Sequence, residues 1–162
     1  MMNTRKKYLR GAASIDTLIT AGFIAAVVLF VLSLSPKVIY EYHVAKFTAD
    51  TSTISNAAER WKSLRPNFDG VTMSKLCTDN YLDASICGST KDGKSTNPFG
   101  GDWTIAANTN KGLYDITGTL PNDTDHLNEL ADKMAPTTRA HCVDATSCAT
   151  LKKSTNSITM TF

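Results

Sequence analysis

Asp16 is the first residue whose position asks for a chemical account. It stands five residues after Gly11 and directly before Thr17–Pro36, a run of 20 uncharged residues. A carboxylate at the mouth of an apolar helix is costly to desolvate, so it either stays at a lipid interface or finds a cationic partner. At the interface the helix dipole would favour it. With a partner it would fix how two chains dock. The second set with chemistry is Cys77, Cys87, Cys142 and Cys148. Four cysteines could hold zinc, but the gaps of nine and five residues lack C-x-x-C knuckles, and an even count in a small domain favours two disulfides. Three pairings are open; proximity favours Cys77–Cys87 and Cys142–Cys148. His43, His126 and His141 are dispersed and have no ligand spacing around them, so no metal and no cofactor is expected. His141 adjoins Cys142, but a disulfide removes the thiolate that nucleophilic catalysis needs. No Ser-His-Asp order and no phosphate-cradling glycine loop is present. The chain reads as a non-enzyme.

Those residues need elements to place them. Of the 17 Lys and Arg, four (Arg5, Lys6, Lys7 and Arg10) fall in the first 11 residues, which contain no acid. Without that leader the balance is 13 cations against 15 acids, and no basic stripe interleaves with aromatics, so nucleic acid is not an expected partner. Thr17–Pro36 is long enough to cross a bilayer as a helix. In a secretory signal the small residues follow a shorter apolar core; here Gly11, Ala12 and Ala13 precede the run. Cutting there removes the leader and keeps the apolar segment. The basic leader orients the N-terminus to the cytoplasm and the remainder outward, where disulfides persist.

Beyond Pro36, small or apolar residues recur at Val38, Tyr42, Ala45, Ala49, Ser52, Ala57 or Ala58, Trp61 and Leu64, with polar residues filling much of the rest. The spacing predicts an amphipathic helix that continues from the apolar run and ends at Arg65-Pro66, with a kink or local melting at Pro36. Residues 66–101 are turn-rich, with a short helix expected at Ser74–Leu82. "DWTIAAN" and "GLYDITGTL" read as a hairpin around "NTNKG". "NDTDHLNELADKM" reads as a helix capped by Asn122, Asp123 or Thr124, with Leu127, Leu130, Ala131 and Met134 on one face and Pro136 as its stop. "SITMTF" reads as a last strand, and "NPFGG" with Trp103 as turns carrying buried aromatics. The sequon at Asn122 carries no further information.

The basic leader, Gly11, the small residues, Asp16 and the apolar helix together resemble the class III signal of type IV pilins and pseudopilins. "NPFGG" at Asn97–Gly101 and the C-terminal cysteines are similar to the type IVb group. The resemblance implies cleavage between Gly11 and Ala12 by a prepilin peptidase, with methylation of the new N-terminus. Asp16 stands where the family mostly has glutamate, and Ala12 where it usually has Phe, Met or Leu. It also implies an α+β, type IV pilin-like fold, in which a long N-terminal helix packs its C-terminal half on a small antiparallel sheet. The expected organisation is a leader (1–11), a membrane and filament-core helix (12–36), its amphipathic half (37–65) and a disulfide-bonded head (66–162). In that family frame Asp16 of one subunit would neutralise the Ala12 amine of a neighbour in a helical homo-oligomer, and Ala21, Gly22, Ala25 and Ala26 would allow close helix approach. The expected partners are the prepilin peptidase, the inner-membrane assembly machinery and the inner membrane itself. The expected end point is an extracellular pilus used in adhesion, aggregation or mating contact. A minor pilin, a secretion pseudopilin and a monomeric anchored periplasmic domain are the competing readings.

Overall fold

The computed structural model describes residues 15–63 and 65–162. Helix α1 runs Ile15–Lys62 and passes through Pro36 without a break, so the expected local melting does not occur. It ends three residues short of Arg65. The Ser63 and Arg65 amides donate to the Arg60 and Lys62 carbonyls in a tightened last turn, and the Arg65 guanidinium folds over the Trp61 ring.

The chain separates into two compact units, residues 1–40 and 41–162. Within the described part of the first, α1 is alone; the side chains described from Ile19 to Ile39 are exposed and Tyr40 is buried, and the helix is long and apolar enough to cross a membrane. The second unit holds everything else. Short helices α2 (Met73–Thr78) and α3 (Ala84–Cys87) lead into strands β1 (Trp103–Ala107) and β2 (Tyr114–Thr119); helix α4 (Leu127–Met134) precedes β3 (Leu151–Lys153) and β4 (Ser157–Thr161). The sheet is antiparallel with order β1-β2-β4-β3. The fold is α+β, consistent with a pilin-like architecture.

Period-two alternation decides the sheet's two faces. Trp103, Ile105, Tyr114, Ile116, Ile158 and Met160 are buried, and Ile105 pairs with Ile116, which pairs with Met160. The opposite face is polar: the Thr117 and Thr159 hydroxyls meet at 2.8 Å, and Asp115 accepts from Thr161 and Asn108. Against the buried face lies the later part of α1, through Val44, Phe47, Ile54, Ala57, Ala58 and Trp61. Phe47 packs 4.4 Å (ring centroids) from Trp103 and directly over Gly118. An added Cβ at Gly118 would come within 2.5 Å of the Phe47 ring, so the central strand has glycine where the helix crosses it.

Several expectations are met and some are displaced. The hairpin, the buried face of α4 and the last strand are where the sequence placed them. The α4 entry differs: Thr124–His126 form a 3₁₀ turn, and none of the three expected caps closes α4 with a side chain. Its exit continues as another 3₁₀ turn, Ala135–Thr137, with Pro136 inside it. The Ser74–Leu82 helix is shorter, ending at Thr78: Asn80 turns left-handed (φ 57°), the Asn80 and Tyr81 amides close back on the Cys77 and Leu76 carbonyls, and Asp83 then starts a new helix by capping the Ser85 and Ile86 amides. Strand β3 is an addition.

Candidate functional site

The residues expected to act in processing and assembly lie at or before the start of α1. Gly11 and Ala12, the expected processing pair, lie outside the described residues. Asp16 falls in the first turn of α1, and Ala21, Gly22, Ala25 and Ala26 lie within that helix. From Ile19 to Leu32 the helix carries exposed large apolar side chains on all sides, with Phe23 70% and Phe30 65% exposed. A helix apolar all round belongs in lipid or in a helical bundle.

The head portion of α1 corrects the phase read from the sequence. The stripe Val38, Tyr42, Ala45, Ala49 and Ser52 does not face the core: Tyr42 is 64% exposed, and Ala45, Ala49 and Ser52 are exposed as well. The buried stripe is the one through Val44, Phe47, Thr51 and Ile54, and the two converge only at Ala57, Ala58 and Trp61. The buried stripe is interrupted by Asp50, whose carboxylate takes Lys46 at 3.2 Å one turn back. That polar interruption let the outer stripe look the more regular of the two. The helix therefore presents small and apolar residues on both sides, and only one side is covered by the described residues.

All four cysteines are brought together as the local pairs Cys77–Cys87 and Cys142–Cys148. The first ties α2 to α3. The second closes a loop whose Val143 is 93% exposed. That loop is fixed to α4 where Asp132 accepts from the Ala145 amide at 2.9 Å, and Cys148 Sγ lies beside the Thr138 and Thr150 hydroxyls.

"NPFGG" is a built turn. Asn97 is 4% exposed; its Oδ1 accepts from the Phe99 and Gly101 amides at 2.9 and 3.0 Å, and its Nδ2 donates to the Asp102 and Thr119 carbonyls at 3.2 and 2.7 Å. All four side-chain hydrogen-bonding positions are used. Gly101 lies so close to Thr119 that an added Cβ would sit 2.1 Å from its carbonyl oxygen. Phe99 and Trp103 are buried beyond this turn, as expected of its aromatics.

The histidines stay apart, and among the described residues no group of His, Cys, Asp and Glu could hold a metal ion. His126 bonds Asp123, which raises the imidazole pKa above its ordinary value. Lys133, held by Glu41 at 2.8 Å and by Glu129 at 3.2 Å, has its ammonium pKa raised by these partners, Glu41 foremost. The pair with Glu41 clamps α4 onto α1. Burial pushes the Tyr114 phenol up, while its hydroxyl meets Ser55 at 2.8 Å.

One further feature has no counterpart among the sequence motifs. Thr48, Thr51, Ser52 and Ser55 of α1, with Thr137 and Phe162, line a groove of about 330 Å³. Hydroxyls at i, i+3, i+4 and i+7 on one helix were its trace in the sequence.

Comparison with family models, with curated proteins and with solved structures finds no match to this chain.

Proposed function

We propose that the chain is a structural subunit of a type IV pilus: a pilin cut between Gly11 and Ala12 that polymerises through α1 and displays the disulfide-bonded head outside the cell. The observation that carries this reading is the second, uncovered stripe of α1. A single-pass anchor needs an apolar helix only as far as the bilayer extends. Here small and apolar residues continue past it, along Tyr42, Ala45 and Ala49, on the side of the head helix that the sheet leaves bare. A neighbouring helix is the occupant that suits such a surface, since small residues let backbones approach. Gly11, Ala12 and Asp16 supply the rest in the same reading: the processing step creates an amine, and the Asp16 carboxylate of the next subunit neutralises it away from water. The pair adds register, because any docking that leaves either charge alone is penalised.

Mass spectrometry of sheared surface filaments tests the proposal. The expected chain begins at Ala12; a subunit retaining residues 1–11 refutes it. Asp16→Ala is expected to insert into the membrane normally and to lose filament assembly. A full filament yield from that variant removes the amine-pairing step. The abundance of the chain in the filaments separates a major subunit from a minor pilin or pseudopilin, and recovery of a monomer alone favours an anchored periplasmic domain.

A further inference from the structure

The groove between α1 and the end of the sheet has a donor and acceptor pattern that specifies a ligand class. Its six lining residues, Thr48, Thr51, Ser52, Ser55, Thr137 and Phe162, are uncharged. Three of the hydroxyls have committed their protons to backbone carbonyls: Thr48 to Val44 at 2.9 Å, Thr51 to Phe47 at 2.8 Å and Thr137 to Met134 at 2.7 Å. With those protons committed, the Thr48 and Thr137 oxygens, half-buried at the groove wall, can meet a ligand only as acceptors, while Thr51 is 2% exposed and closes the floor. Ser55 shares one hydrogen bond with the Tyr114 hydroxyl, and Ser52, exposed at the rim, makes no hydrogen bond among the described residues. Phe162 closes one end; its ring stacks on Tyr114 at 5.8 Å and 17°, and it is half-buried.

The lining side chains offer an anion no cation and a cation no carboxylate. A purely apolar group would strip water from the hydroxyl oxygens without replacing it. A ligand rich in O–H donors, with one apolar face for the aromatic ring, meets every one of these terms. We propose that the groove is a binding site for a neutral carbohydrate, one pyranose ring lying against Phe162 with its hydroxyls donating to Thr48 and Thr137. The proposal goes beyond the pilus reading and does not rest on it: Ser52 borders the stripe that a neighbouring helix would approach in a filament, so the site is defined for the unpolymerised chain.

Saturation-transfer NMR on the full chain in detergent, with methyl glycosides of neutral hexoses and N-acetylhexosamines as probes, tests the site. At least one probe is expected to receive saturation, most strongly on the C–H protons of one ring face. Ser52→Ala and Thr48→Val should each weaken its binding about three- to tenfold, the range for one hydrogen bond. Ser52→Gln, which places a longer side chain at the exposed rim, should abolish it with the thermal melt unchanged. Absence of transfer from every neutral glycoside overturns the assignment. So does unaltered binding by Ser52→Gln, or a preference for sialic acid over the neutral sugars. The measurement is made on the unpolymerised chain, so its failure leaves the filament reading to be decided by the filaments themselves.

Discussion

Replacing Asn97 with alanine removes four hydrogen bonds from one buried point. The Phe99 and Gly101 amides lose their acceptor, and the Asp102 and Thr119 carbonyls lose a donor. At about 1 kcal/mol net for each bond, the expected loss is about 4 kcal/mol. Water cannot easily repair it, because Asn97 is 4% exposed and Gly101 packs against the Thr119 backbone. For a head of this size, about 3–5 °C of melting temperature accompanies each kcal/mol, so the midpoint should fall by about 12–20 °C. The assay is thermal unfolding followed by circular dichroism, on the full chain in detergent with both disulfides intact. Asn97→Asp is the companion. It keeps the acceptor but points a carboxylate at two carbonyls, so it should destabilise at neutral pH and recover as acidification protonates it. A drop under about 5 °C for Asn97→Ala refutes the reasoning, and so does an Asn97→Asp variant with no pH dependence.

Three further expectations can be checked with the same melt. Gly118→Ala should cost about 1–3 kcal/mol, because the Phe47 ring must leave its place over the strand; an unchanged midpoint would show that the contact is slack. Opening Cys142–Cys148 by a double change to serine should cost about 2 kcal/mol from loop closure, and opening Cys77–Cys87, with its longer loop, slightly more. Hydrogen exchange should then quicken at Ala145 first, where the loop is tied to Asp132. The His126 imidazole is raised by Asp123, so its small contribution is fully present below the unfolded value near 6.5 and is lost as pH rises through the folded one. His126→Ala should thus lower the midpoint slightly at pH 5 and not at pH 9; the reverse order would refute the assignment.

How much of this could be read from the sequence depends on how local the cause is. The hairpin needs only alternation and a turn, and both lie within residues 102–119. The face of α4 is set by Leu127, Leu130, Ala131 and Met134 alone, and the disulfides by short separations. The phase of α1 is different in kind. Two stripes of similar apolarity run along it, and what selects between them is a sheet whose strands begin only at Trp103 and end at Thr161. Strand β3 is three residues long and two of them are lysines, so it has no pattern of its own. The groove was invisible because threonines and serines spaced along a helix look the same whether they line a cavity or water.

The strand order has a consequence for how the chain must be made. β4 is written last yet sits inside the sheet, paired with β2 on one side and β3 on the other. A chain interrupted before Ser157 therefore loses an interior member, and β2 is left with only its hairpin partner over an open core. Truncation cannot be tolerated as the fraying of an edge. An inventory check is built into the topology: a chain lacking β4 can neither close the sheet nor cover its core, so it is exposed to any protease it meets.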